Sequence, residues 1–452
     1  MSIAIDWKFP SGSLGNWEEK NGCILLEPQG GAEQPWFYFL ISGVAGREVS
    51  FSVPALAGQQ HWPISVSYDR IDWVPVDEMG PGPTFKHRFT SNFAIVSLAP
   101  PYTNGMLWDL LAWAQRSPHL DIQTLGTTTP GLEPLQLLTI SDMGITQDKP
   151  AVWLIAREQP IEDGASWLAE GMIRFLISTD ATAEKLRQEY VFKVVPLMDF
   201  LGVYKSTLTA SCNWTDTNDD TDESPAALIK KLIANDYLSS AGIALALSLR
   251  AHTCGTAGKC TVSTSTTLPQ TCQQAVAELL PWYTFEECGT QAINTFFTHI
   301  RTAYPDVMMG EVTTSWFYKE QSIGNSSAAR KGQYDLLQEG ELLLRAIYGL
   351  LGDEVVAGMP PLLQPRLQLT EDAAVASVLC RPVDAIQLFM SGEDYQREMV
   401  PGEEVNGYIS YAANLPMNEL DQVERIIARS PMGAREILLT ERRNRTVDGS
   451  LS

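Results

Sequence analysis

The sequence predicts a β domain followed by an α/β domain, and three observations carry that expectation. Up to about residue 125, short aromatic and β-branched runs alternate with glycine- and proline-rich breaks. From about 126 to 352, apolar runs suited to buried strands alternate with segments of helical period. A chain of 452 residues also exceeds one ordinary core, so a further region, 353–452, is expected as a C-terminal extension.

Composition narrows the function classes. Hydrophobic residues make up 44% and charged residues 19%, values of a globular chain. No stretch approaches membrane-span length, and Met1 to Pro10 lacks the basic start and apolar run of a signal peptide. The expectation is a soluble protein, cytoplasmic or otherwise intracellular. The 54 acidic against 32 basic residues give a formal charge of -22, which repels nucleic acid and anionic membranes, so neither is an expected partner. Of seven cysteines, five fall between Cys212 and Cys288 and read as free structural thiols. Cys254 and Cys260 are close enough in sequence for a disulfide loop in an oxidising compartment. The spacing of His252, Cys254 and Cys260 matches no standard zinc module.

In the first domain, Trp36–Ile41 and Glu48–Val53 are separated by Gly43 and Gly46 and read as a hairpin. Ile64–Tyr68 and Asn92–Leu98 continue the series towards a small β-sandwich. Pro100-Pro-Tyr-Thr103 leads into a helix, Leu107 to Gln115, and then a strand, Leu135–Ile140. Ala151 begins an apolar strand that turns at Pro160 and Gly164 into a helix with an apolar face at Leu168, Met172, Phe175 and Leu176. Such a turn lies at the carboxyl end of a sheet, where open α/β sheets bind ligands.

Tyr190–Pro196 is a strand by composition, and Ser224-Pro225 opens a helix to about Asn235 with a capping side chain and a proline at the first position. Gly242–His252 is an apolar strand ending in histidine. Cys288–Ala303 reads as a helix, Val307–Phe317 as a strand and Gln333–Leu351 as a long amphipathic helix. In the extension, Ala374–Leu379, Ala385–Phe389 and Val405–Tyr411 read as strands and Met417–Arg429 as a helix. Arg435, Arg442, Arg443 and Arg445 mark a partly disordered basic tail.

The turn Ala156-Arg-Glu-Gln-Pro-Ile-Glu162 resembles the zinc-binding Ala-Arg-x-His-Pro-Gly-Glu segment of the zinc metallocarboxypeptidases, cytosolic-carboxypeptidase branch. Phe317-Tyr-Lys-Glu-Gln-Ser-Ile-Gly324 is similar to that family's segment bearing the general base, and Trp36-Phe-Tyr-Phe with Ser67-Tyr-Asp to its N-terminal β domain. The resemblance covers roughly residues 30 to 350. It implies a β-sandwich at 1–125 and a carboxypeptidase-like α/β domain at 126–352, with a mixed sheet and helices on both faces.

The resemblance also implies a site. Glu162 and His252 fall on metal-ligand positions and Glu320 on the general base. Gln159 stands where the family has its first histidine ligand, and a primary amide is a poor zinc ligand. Asn218 falls on the substrate-carboxylate asparagine, with Asp219 where the partner arginine belongs. Leu132 occupies a second arginine position, and the oxyanion arginine falls near Thr209. The remaining histidines, His61, His87, His119 and His299, lie away from the motif, and Glu158 beside Glu162 would give an oxygen-rich site suited to magnesium or calcium.

Two functional readings stay open beside an unrelated α/β protein. One is a non-hydrolytic, carboxypeptidase-like protein that binds a protein or peptide partner. The other is an active hydrolase of altered specificity, with zinc as cofactor, Glu320 as base and a cationic substrate group favoured by Asp219. Losing one oxyanion donor costs about 2.7–4 kcal/mol of transition-state stabilisation, and several such losses point to the first reading.

Overall fold

The computed structural model describes residues 2–58, 62–80, 82–126, 135–142, 144, 148–208, 214, 225–252, 260–264, 270–287, 295–318, 330–348, 363–369, 373–380, 385–390, 396–405, 408–416, 423–430 and 433–438. The fold is α/β, with an N-terminal β-sandwich ahead of a mixed sheet that carries helices.

The sandwich consists of two five-stranded sheets. One is centred on Phe93–Ser97, paired antiparallel with Tyr38–Ser42 and Ser65–Ser67. The other is centred on Glu48–Ser52, between Cys23–Glu27 and Thr84–Arg88. Tyr38–Ser42 and Glu48–Ser52 therefore do not form the expected hairpin. Phe39 and Ile41 belong to one sheet and Val49 and Phe51 to the other, and all four are buried in one core. Gly43 and Gly46, both at positive φ, lie in the connection between the sheets. Burying both apolar faces removes more surface from water than a two-stranded ribbon would. Phe51 stacks on Phe85 at 4.5 Å inside. His87, buried in this domain, meets the Tyr68 hydroxyl at 3.0 Å and Asp77 at 3.2 Å.

The second region is built on an eight-stranded sheet. Its order is Leu120–Leu125, Leu135–Ile140, Val191–Val195, Ala151–Ala156, Ile243–Ala251, Met309–Thr314, Cys260–Thr264 and Tyr283–Glu287. The four central strands run parallel and the flanks contribute antiparallel pairs. Every residue of Ala151–Ala156 is buried. Val152 and Leu154 join a core with Leu168 and Met172, whereas Trp153 and Ile155 join one with Phe296 and Ile300. A strand covered on both faces needs an unbroken apolar run, and the sequence supplies it.

The helix Asp163–Leu176 packs on Gln333–Tyr348 with very close backbones. A Cβ on Gly171 would lie 2.0 Å from the Leu337 carbonyl oxygen, and one on Gly340 2.2 Å from that of Leu168. Asn104–Ala114, Pro225–Leu238 and Phe296–Ala303 supply further helices. Among the described residues, no helix is long and apolar enough to cross a membrane.

Beyond residue 362 lie two four-stranded antiparallel sheets. The helix expected over Met417–Arg429 is replaced by the strand Val423–Ser430, paired on one side with Ala385–Met390 and on the other with Gly433–Leu438. Two ladders satisfy its backbone, and Val423, Ile426 and Ile427 suit extended backbone. The single strand expected over Val405–Tyr411 is two, Val400–Val405 and Tyr408–Pro416, paired antiparallel. Arg435 lies in the last strand, and the other arginines of the expected tail lie outside the described residues.

Candidate functional site

At the carboxyl end of Ala151–Ala156 the chain enters the turn 157–162. Arg157, at φ 57, sends its buried guanidinium back across the turn. It donates from Nε to the Pro160 carbonyl at 3.0 Å, reaches the Tyr102 carbonyl, and pairs with Asp163 Oδ1 at 2.8 Å. Asp163 Oδ1 also accepts the Tyr102 amide at 2.6 Å. Burial holds the Asp163 carboxyl above its ordinary range, with Arg157 and the Tyr102 amide pulling the other way. Trp167 Nε1 donates to the Pro100 carbonyl at 3.2 Å, so the segment 100–103 and the turn are fixed together.

Glu162 closes the turn. Its amide donates to the Gln159 carbonyl at 3.2 Å, and its Oε2 accepts the Gln159 amide at 3.3 Å. Its Oε1 accepts from Arg250 Nε at 2.7 Å. Burial is the larger influence and pushes Glu162 up to about 7; Glu158 adds to the rise, while Arg250 and the Gln159 amide oppose it. Burial is the largest single influence on Arg250 and acts to lower it, but Glu162, Glu158 and Glu311 together hold the guanidinium above its already high range.

Arg250 comes from Ile243–Ala251, which runs parallel to Ala151–Ala156, and His252 immediately follows that strand. The His252 amide donates to the Thr314 carbonyl at 2.9 Å, tying it to the next parallel strand. Arg250 Nη1 lies 3.8 Å from Glu311 on that strand. Burial holds Glu311 above its ordinary range, against the pull of Arg250.

Glu158 has a different task from the one the sequence suggests. Its Oε1 accepts from the Ser248 hydroxyl at 2.8 Å and its Oε2 from the Phe296 amide at 2.7 Å, at the start of the helix Phe296–Ala303. A carboxylate at a helix start satisfies an otherwise unpaired amide and meets the positive end of the dipole. Both oxygens are thereby engaged away from Glu162.

The structure thus brings Glu162 and Gln159 into one turn and sets His252 at the end of the adjacent parallel strand. Glu320, Asn218 and Asp219 lie outside the described residues, as do Leu132, Thr209, His61 and Cys254. Cys260 is a buried free thiol beside Lys331 Nζ at 3.2 Å. Sequence reasoning missed Arg250, Glu311 and Ser248. The available signal was Arg250 itself, the one charge in an otherwise apolar strand: residues of that type are rarely buried unless paired.

No family model matches this chain. Its fold is that of the metallocarboxypeptidases. The metallo-carboxypeptidase of Burkholderia cenocepacia superposes with a TM-score of 0.64 at 21% identity, covering 78% of this chain and 99% of that one. The metallo-carboxypeptidase of Pseudomonas aeruginosa gives 0.61 at 17%, covering 77% and 99%. By sequence, the chain is 38% identical over 72 residues to human cytosolic carboxypeptidase 1, which is 16% of this chain and 6% of that protein. It is 25% identical over 234 residues to human cytosolic carboxypeptidase 4, 41% and 21% respectively. An uncharacterized protein of Zymomonas mobilis is 27% identical over 211 residues, 44% of this chain and 54% of that protein. The chain spans about half the length of the last relative and small parts of the other two. Local identity to cytosolic carboxypeptidases, together with the shared fold, supports a zinc metallocarboxypeptidase-family assignment.

For zinc, the metal this family implies, the described residues offer a carboxylate, one imidazole and an amide. Glu162 is already bonded to a guanidinium. Among the described residues, no three His, Cys, Asp or Glu side chains are grouped so as to hold a metal. This donor set does not fit the two histidines and one carboxylate of a catalytic zinc site.

Proposed function

We propose that this chain is a carboxypeptidase-like protein that does not hydrolyse peptides and uses its cleft to bind a protein or peptide partner inside the cell. The observation that supports this reading best is the bond from Arg250 to Glu162: the carboxylate that the resemblance sets at a metal-ligand position is paired with the protein's own cation. Gln159 in the same turn supplies an amide where an imidazole would be needed. The acidic balance of the chain favours a partner with basic surface over nucleic acid or an anionic membrane.

The test is metal content by elemental mass spectrometry on protein purified without chelator, together with release of C-terminal residues from a peptide panel. The expected result is no stoichiometric zinc and no release. Zinc that disappears in Glu162→Ala, accompanied by release that Glu320→Gln abolishes, would overturn this reading in favour of a zinc-dependent hydrolase. The positions of Glu162 and His252 at the ends of adjacent strands motivate that second arm.

A further inference from the structure

A catalytic zinc site of this family sets a cation against two histidines and a carboxylate, and in this chain the Arg250 guanidinium is the cation bonded to the corresponding carboxylate, Glu162. Arg250 leaves the central strand with its side chain 14% exposed and bonds the 5%-exposed Glu162 at 2.7 Å. Its Nη1 lies 3.8 Å from Glu311, and Glu158 adds a third negative charge felt by the same guanidinium. These groups come from the turn and two neighbouring strands, so a single side chain spans three segments of the site.

The shape of the cation matters. A spherical ion needs its donors converging within about 2.0–2.6 Å of one point. A guanidinium is a flat fork with donors pointing along different directions, able to join carboxylates that do not share a centre. The described acidic and histidine groups form no three-member metal set, which is the arrangement that suits the fork and not the ion.

We propose that Arg250 is a built-in replacement for the metal: a positioning residue whose guanidinium holds the Glu162 turn against the Ile243–Ala251 strand and makes the cleft independent of any bound ion. This inference rests on the non-hydrolytic reading above and extends it to how the cleft keeps its shape. Without Arg250, the buried Glu162 carboxylate would lose its ion-pair partner, and the turn would lose its side-chain tie to the strand.

The experiment follows thermal unfolding of the full chain and its variants, with chelator, with zinc chloride, and with N-ethylguanidinium or ethylammonium as small probes. Wild-type protein is expected to hold its Tm within about 1 °C under chelator and zinc. Arg250→Ala is expected to lower it by about 5–15 °C, the scale for removing one partner of a buried pair. Millimolar N-ethylguanidinium should restore a substantial part of that loss, and ethylammonium or zinc should not. If Arg250→Ala yields no folded protein, Arg250→Met with Glu162→Gln removes both charges, and that pair is expected to fold with a higher Tm than Arg250→Met alone.

A wild-type Tm that falls under chelator or rises with zinc would overturn the proposal. So would an Arg250→Ala protein as stable as wild type, rescue by zinc in place of N-ethylguanidinium, or a double variant no better than the single one. Peptide release by the wild-type chain would sink the non-hydrolytic reading instead, and unfolding does not measure it.

Discussion

Two buried ion pairs lie at neighbouring strands of the central sheet, and they are built differently. Lys331 and Glu339 are both fully buried and directly paired. Glu339 also accepts from Trp282 Nε1 at 2.7 Å, from the Tyr283 hydroxyl at 3.1 Å and from the Thr314 hydroxyl at 2.7 Å. The Lys331 ammonium sits 5.1 to 5.9 Å from the ring centres of Trp282, Tyr283 and Tyr318. Carboxylate and ammonium are enclosed by groups that match them, as a buried pair requires.

The pair of Glu162 and Arg250 is less enclosed. Arg250 keeps 14% of its side chain exposed and its second carboxylate, Glu311, keeps 28%. One pair ties strands to the helix Gln333–Tyr348 in a fully enclosed setting, whereas the other leaves its guanidinium and second carboxylate partly open to solvent.

The largest effect expected from probing this contrast is on the enclosed pair. Lys331→Met leaves the Glu339 carboxylate buried without a cation, and a loss of about 3–5 kcal/mol is expected in denaturant unfolding. Adding Glu339→Leu should recover much of it. Recovery absent from the double variant would mean that Lys331 acts through packing and not through charge.

Next in size is the backbone approach one residue further along. Gly340→Ala sets a methyl against the Leu168 carbonyl, with an expected loss of about 1–3 kcal/mol, because neither helix backbone can retreat cheaply. Unchanged stability would show that the helices slide, and the enclosure of Glu339 would then be softer than the pairing implies.

A pH effect distinguishes the faces of the sheet. His299, stacked on Trp214 at 5.9 Å under the face that carries Glu158, is held down to about 4 by burial and by nearby Lys230. Its folded-state pKa lies below the ordinary 6.5, so the folded protein binds fewer protons between those values. The stability this group contributes is present above pH 6.5 and is lost as the pH falls towards 4. Allowing for screening by solvent, the loss is about 1–2 kcal/mol. It should be visible as a difference in pH dependence between wild type and His299→Gln, and identical profiles would contradict the assignment.

The smallest effect is expected at the open end of the site. Glu311→Gln should shift stability by no more than about 0.5 kcal/mol, because the 3.8 Å approach to Arg250 is long and partly solvated. A larger loss would mean that Glu311 is as firmly engaged as Glu162.

Much of the fold was legible where period and composition agree. Leu135–Ile140 matches its expected bounds, and the apolar face at Leu168, Met172, Phe175 and Leu176 is buried as its spacing implies. The misreadings share a cause. Gly43 and Gly46 marked a break without saying whether the chain returns beside itself or crosses to another sheet. Val423–Ser430 had a mixed pattern that its two neighbouring strands resolved.

In the site, the resemblance to the metallocarboxypeptidase segment nominated Glu162, Gln159 and His252, and the strand–turn–helix pattern set the turn at a strand end. The sequence by itself determined that a β-rich region precedes an α/β sheet, that the turn after Ala156 lacks an imidazole, and that the chain is acidic. Only the tertiary structure decided that Arg250 bonds Glu162, that Glu158 serves a helix start, and that Gly171 and Gly340 are required by a helix crossing. Pairing of this kind joins residues 88, 138 and more positions apart in the chain. Nothing in local period or propensity encodes which buried charge will meet which; that depends on the register of parallel strands and the direction each side chain takes from them.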